Sequence, residues 1–205
     1  MKQMLTAVLI AGLLALPFAA HAATDRGTRS MEAQLRKQIQ SHPGMTAKVK
    51  AFVIKHLLPT ITTSAWVQAV EAQNAKNMTL DEIKSTDKKW MAAEEELPIQ
   101  KELLNNACAK ALFKLSHGNP VVREAFVTDN KGANVCMNNL TSDYWQGDEA
   151  KWQKSFNDGK GGVDAGKAKF DKSANVTQQQ VSLPILGKGG KVIGAVTFGI
   201  AVDQM

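Results

Sequence analysis

Val121-Val122-Arg123-Glu124-Ala125-Phe126-Val127-Thr128-Asp129-Asn130-Lys131-Gly132-Ala133-Asn134-Val135-Cys136-Met137 is where the chain changes period. Upstream of Pro120 the apolar residues recur at helical spacing, and from Val121 they alternate with period two. Val121 to Thr128 therefore reads as a strand, Asp129-Asn130-Lys131-Gly132 as a turn, and Ala133 to Met137 as the returning strand. Helices first and antiparallel strands afterwards place the chain in the α+β class.

Downstream, the stretch Ser142-Asp143-Tyr144-Trp145-Gln146-Gly147-Asp148-Glu149 holds the single Tyr and one Trp beside three acidic groups. Asp148 reads as the N-cap of a short helix that stacks Trp152 on Phe156 at i, i+4. Asp158-Gly159-Lys160-Gly161-Gly162 ends that helix, and Val163 to Asn175 reads as a weakly paired strand. Val176 to Leu186, with Val181, Leu183 and Ile185 inward, and Val192 to Val202 form a second hairpin about Gly187-Lys188-Gly189-Gly190. The last run is apolar on both faces, as in a central strand.

Upstream, Met45, Val49, Phe52, Val53, His56 and Leu57 fall at helical spacing, and Pro59 kinks or ends that helix. Ser64 to Lys76 is a second helical stretch, or the same rod continued past the kink. Thr79 and Glu82 make a capping box for a third. Leu103, Leu104, Ala107, Cys108, Ala111, Leu112 and Leu115 form one amphipathic helix that stops at His117-Gly118-Asn119-Pro120.

With 205 residues and 44% hydrophobic content, the chain suits one domain with extras, or at most two small ones. Its net charge of +6 is spread along the sequence rather than striped, which argues against a nucleic-acid footprint. Met1-Lys2-Gln3, an apolar run from Met4 to Ala20, and the small-residue box Ala20-His21-Ala22 read as a signal peptide over 1–22, cleaved after Ala22. An uncleaved anchor is the competing reading, for which the run is short. The expectation is a periplasmic protein with a lead-in over 23–44 and a single domain over 45–205. Export bears on the two cysteines, Cys108 and Cys136, which form a disulfide or remain two buried thiols. Neither lies in a CxxC or haem-attachment pattern.

Three segments carry a family resemblance: Phe126 to Val135, Asp143 to Glu149, and Val181-Ser182-Leu183-Pro184-Ile185 followed by Val192-Ile193-Gly194-Ala195. Together, in this order, they resemble an extracytoplasmic Cache domain, the PAS-like sensor module also called PDC, over about residues 45 to 203. The resemblance implies a five-stranded antiparallel sheet with a long N-terminal helix packed on it, and a small ligand under loops on the other side. It also implies carboxylates, amino acids or amines as ligands and membrane-bound histidine kinases, chemoreceptors or cyclases as signalling partners. No second transmembrane helix or output module is read in the sequence, and the extended Tyr/Arg/Trp/Tyr signature of amino-acid-binding members is not found.

The residues themselves point to binding rather than catalysis. There is no Gly-x-Ser-x-Gly elbow, HExxH or P-loop, and His21, His42, His56 and His117 are scattered. Asp143, Asp148 and Glu149 match no calcium-loop spacing, so no metal and no cofactor are expected. The candidate site has ring walls from Tyr144, Trp145 and Trp152, with Asp143, Asp148 or Asp171 meeting a polar group of a small organic ligand. A carboxylate beside rings suits an amine, whereas Lys151 or Lys169 would serve a carboxylate ligand. The same cluster also reads as plain packing with Asp148 as a cap. The function expected is a free-standing small-molecule sensor reporting to a separate membrane partner, or a non-catalytic interaction protein that keeps the fold and forms a homodimer through its N-terminal helix.

Overall fold

A computed structural model describes residues 17–171 and 175–205, with side chains of residues 17–25 and 171 undescribed. Residues 1–16 of the signal peptide expected over 1–22 lie outside this range. The first helix, α1 (Pro17–Ser41), covers the polar lead-in and buries Leu35 and Ile39, one turn apart, in the core. Its Gly27 meets the last turn of the chain: an added Cβ would stand 2.1 Å from the Gly189 carbonyl oxygen.

After His42-Pro43-Gly44, Thr46 caps α2 (Ala47–Phe52) by accepting from the Val49 amide at 3.3 Å. The helix then widens into a π turn over Val53–Leu57 and tightens into a 3-10 turn over Leu58–Thr60, so the break expected at Pro59 is present. A separate helix, α3 (Ser64–Ala75), follows and buries Trp66, Val70 and Gln73. α4 (Leu80–Met91) opens with the expected capping box: the Glu82 amide donates to Thr79 Oγ1 at 3.3 Å and the Thr79 amide to Glu82 Oε2 at 2.7 Å.

The single helix expected through Leu103 to Leu115 is two. α5 (Pro98–Asn105) ends and α6 (Ala107–Gly118) begins at Asn106, whose backbone turns extended at ψ 173°. Asn106 Oδ1 accepts from the Ala109 amide at 2.9 Å while Nδ2 donates to the Val135 carbonyl at 3.0 Å. A short amide side chain replaces the lost helical bonds and ties the junction to the sheet.

The strands are β1 (Val122–Thr128), β2 (Asn134–Met137), β3 (Asp164–Ala165), β4 (Lys169–Asp171), β5 (Val176–Leu186) and β6 (Val192–Ala201), with a short helix α7 (Ala150–Phe156) between β2 and β3. The antiparallel order is β2-β1-β6-β5-β3, and β4 also pairs with β5. Counted as positions the sheet is five wide, with β3 and β4 sharing one edge. β6 is central and fully buried, as its two-sided apolar pattern requires.

The two faces of the sheet differ in chemistry. Ala125, Val127, Val181, Leu183, Val196 and Phe198 share the main core with Leu35, Val49, Trp66 and Leu112. On the alternate positions Phe126, Thr197 and Ser182 lie opposite one another across three strands, with Thr128 beside them. Thr128, Ser182 and Thr197 are buried. Ser182 and Thr197 satisfy each other, hydroxyl to hydroxyl at 2.8 Å. α7 packs against β5 and β6.

Cys108 of α6 and Cys136 of β2 form a disulfide, Cα to Cα 5.8 Å. On the chain-entropy model, closing the 28-residue separation contributes roughly 3–4 kcal/mol.

Candidate functional site

The hairpin turn is organised by Asp129, whose Oδ1 accepts from the Lys131 and Ala133 amides at 2.8 and 2.9 Å. Burial raises its pKa, and those same turn amides oppose the rise. Gly132, at φ +84°, lies so close to the following loop that a Cβ would stand 2.4 Å from Gly147 Cα. Across this gap the Gln146 amide donates to the Gly132 carbonyl at 2.8 Å, and the Asn134 amide donates to the Tyr144 carbonyl at 2.9 Å. The loop from Tyr144 to Gln146 is thereby laid along β2 like a further strand.

α4 clamps the same loop. Asp87 Oδ1 accepts from the amides of Tyr144 at 2.8 Å and Trp145 at 3.0 Å, and the Trp90 indole donates to the Thr141 carbonyl at 2.9 Å. Ile83, Asp87 and Trp90 fall at i, i+4 and i+7 on one helix face, a spacing visible in the sequence. Asp87 is the residue that sequence reasoning missed.

Tyr144 belongs to a second small core with Ile83, Trp90, Leu103, Phe126 and Met137. Its hydroxyl accepts from Gln73 Nε2 at 3.2 Å, and its ring lies 5.7 Å from that of Trp90. Burial, with the nearby Asp129 charge, pushes the phenol up to about 12. Trp145 donates its indole N–H to the Lys131 carbonyl at 2.8 Å, with the Lys84 ammonium 4.8 Å over its ring. Trp152 donates to the Asp129 carbonyl at 3.1 Å and stacks on Phe156 at 5.0 Å, the expected i, i+4 pair.

The acidic candidates separate. Asp143 is half-buried and accepts from Gln146 Nε2 and, at 3.3 Å, from Ser142 Oγ. Burial first, and the charge of Glu149 second, raise its pKa. Asp148 is exposed and is not the cap of α7; Glu149 holds that position, without a side-chain capping bond. The extra residue lets the chain leave the Gln146–Gly147 contact before turning into the helix. Asp171 lies in β4, paired with Val176, and Lys169 of the same strand is exposed. Three strands, β5, β6 and β1, separate that edge from β2, so neither is brought to the Asp143 group.

What does converge on Asp143 is a polar cluster against Phe126. Lys151, its side chain 15% exposed, pairs with Glu149 at 3.1 Å, and its Nζ stands 5.3 Å from the Phe126 ring centroid. Asn134 and Gln146 both donate to the Asp143 carbonyl, at 3.0 and 3.4 Å. Each is 1% exposed, and Asn134 Oδ1 and Gln146 Oε1 have no hydrogen-bond partner among the protein's own atoms. A buried acceptor left unpaired costs about 1–3 kcal/mol, so each of these oxygens calls for a donor from outside the chain, a water or a ligand.

Among the described residues no group of three or more His, Cys, Asp or Glu is placed to hold a metal ion. Two grooves lie apart from the cluster. One, of about 330 Å³, runs between α3 and the α5–α6 junction, and one of about 350 Å³ is lined by Phe113, His117 and Arg123.

No family model matches the chain, and no curated protein does. Among solved structures, the sensor domain of the Vibrio cholerae histidine kinase DctB is similar at 12% identity and TM-score 0.40, over 90% of this chain and 58% of that one. The ligand-binding domain of the Campylobacter jejuni chemoreceptor Tlp3 with L-valine is similar at 16% identity and TM-score 0.39, over 92% and 65%. That of the Pseudomonas aeruginosa chemoreceptor PctC with GABA is similar at 9% identity and TM-score 0.37, over 72% and 61%. This chain spans less than two thirds of the length of each. All three are sensor or ligand-binding domains. With helices packed on a five-position antiparallel sheet, the chain has a mixed α+β fold.

Proposed function

We propose that the protein is a small-molecule-binding sensor that takes its ligand at the polar cluster on Phe126 and reports to a separate membrane-bound partner, a histidine kinase, chemoreceptor or cyclase. The observation that carries this reading is the pair of unpartnered, buried amide oxygens of Asn134 and Gln146 beside Asp143. Such atoms are stabilised by a donor that arrives with a ligand. Asp143 and Lys151 supply charge, and Trp145 and Trp152, anchored through their indole N–H groups, flank the hairpin that carries the cluster. Tyr144 holds the loop in place from within the second core, and Asp148 is exposed on the same loop.

A thermal-shift screen of small metabolites tests the reading. A ligand at a hundredfold excess over its dissociation constant adds about 2.7 kcal/mol to stability. Asp143→Asn and Gln146→Met should each abolish that shift while leaving the parent fold intact. A ligand that binds both variants as well as the parent places the site elsewhere.

A second reading, an interaction protein that keeps the fold without a ligand, draws on the same loop. Tyr144, Trp145 and Trp152 all spend their polar atoms on internal bonds. Under that reading no metabolite in the screen shifts the melting temperature, and a homodimer formed through α1 appears in sedimentation. Both readings place the protein in the periplasm after cleavage behind Ala22, for which intact mass of the exported protein is the test.

A further inference from the structure

Lys151 is an unusual member of the cluster. A lysine ammonium is ordinarily left in water, yet this side chain is 15% exposed and lies over a ring that is itself 1% exposed. A ring face with the ammonium 5.3 Å from its centroid and a carboxylate, Glu149, 3.1 Å from that ammonium is the environment that binds a free primary ammonium.

Donors and acceptors in the cluster do not balance. Asp143 and Glu149 bring acceptors only, and Asn134 and Gln146 add one unpaired amide oxygen each. Because an amide holds its oxygen and nitrogen on one carbon, the unpaired Gln146 oxygen sits beside the Asp143 carboxylate that its nitrogen reaches. The lysine ammonium, with three donors, is the cluster's cation, and its ion pair is with Glu149, a residue half in solvent.

We infer that Lys151 is a tethered stand-in for the ligand's ammonium: it fills the cation position over Phe126 in the ligand-free protein, and a small primary ammonium displaces it. The incoming group pairs with Asp143 and donates to the free oxygens of Gln146 and Asn134, while Lys151 swings out on its flexible stem and takes Glu149 with it. This rests on the ligand-site reading above. It adds a specificity role for one residue. A tethered competitor lowers the fraction of protein ready to bind. If Lys151 fills the position nine-tenths of the time, removing its charge tightens binding about tenfold.

Methylammonium, titrated calorimetrically into the full chain and into Lys151→Met, is the test. Lys151→Met keeps the length and the apolar stem and loses only the cation. The variant should bind methylammonium about tenfold more tightly than the parent. In the parent, methylammonium should also shift the Lys151 side-chain ammonium resonance to its solvent-exposed position, a readout that needs no variant to fold. Equal or weaker binding by the variant, or an unmoved Lys151 resonance in a parent that does bind, overturns the stand-in role and leaves the ligand site standing. Acetate binding that is lost in Lys151→Met assigns the lysine to a ligand carboxylate and overturns it too. Methylammonium binding by neither protein overturns the inference, and failure of the whole metabolite screen overturns the site with it.

Discussion

Replacing Asp87 by alanine should unfasten the loop that carries the candidate site. One carboxylate oxygen of Asp87 accepts the amides of Tyr144 and Trp145 at 2.8 and 3.0 Å. Hydrogen bonds to a charged acceptor contribute about 1.5–3 kcal/mol each, so two give a ceiling of about 6. Asp87 is half-buried, and water reaches part of the vacated space. The expected loss is therefore roughly 2–4 kcal/mol, with Asp87→Asn, which keeps an acceptor oxygen, losing about half as much. Urea unfolding should show the midpoint fall at unchanged slope, and a 3 kcal/mol loss lowers the melting temperature by about 6–12 °C in a domain of this size. Amide exchange at Tyr144 and Trp145 should accelerate well beyond that of β6. A loss below about 0.5 kcal/mol for Asp87→Ala, with both amides still protected, would refute the clamp.

Gly27→Ala places a Cβ 2.1 Å from the Gly189 carbonyl and should cost about 1–3 kcal/mol by urea unfolding, since backbone on both sides leaves no room to yield. A neutral result would detach α1 from the domain. Non-reducing digests should yield a peptide linked through Cys108 and Cys136, and the Cys108→Ala/Cys136→Ala protein should lose roughly 3–4 kcal/mol. Asp143 has a folded pKa raised by burial, so the folded chain holds its proton more firmly than the unfolded chain. Its contribution is most favourable below the unfolded value of about 3.8 and is lost as pH rises through the raised one. Asp143→Asn should therefore be at least as stable as the parent at pH 7, with any advantage fading below pH 4 in a pH series of melting curves.

The readings that succeeded are local ones. The β1–β2 turn, the Thr79–Glu82 box, the break near Pro59 and the Trp152–Phe156 stack each depend on residues within a few positions of one another. The central place of β6 was legible because a strand with neighbours on both faces must be apolar on both. Capping chemistry favours Asp148 over its neighbour, yet the helix starts one residue later and Glu149 takes the position without a side-chain bond. The choice went to Glu149 once the loop was pinned by Gly132 and Gly147.

Sequence alone determined the α+β class, the order of helices and hairpins, and the crowding of rings and carboxylates around Tyr144. It did so because period, capping and turn chemistry are written over short separations. Tertiary structure decided that Tyr144 is core, that Asp171 stands at the far edge of the sheet, and that Asp87 holds the loop. It also brought Phe126, Asn134, Gln146 and Lys151 into one cluster. Strand register and helix packing settle which residues share a face and which of them water no longer reaches. Those are pairings across many residues of chain, and the propensity of no single segment contains them.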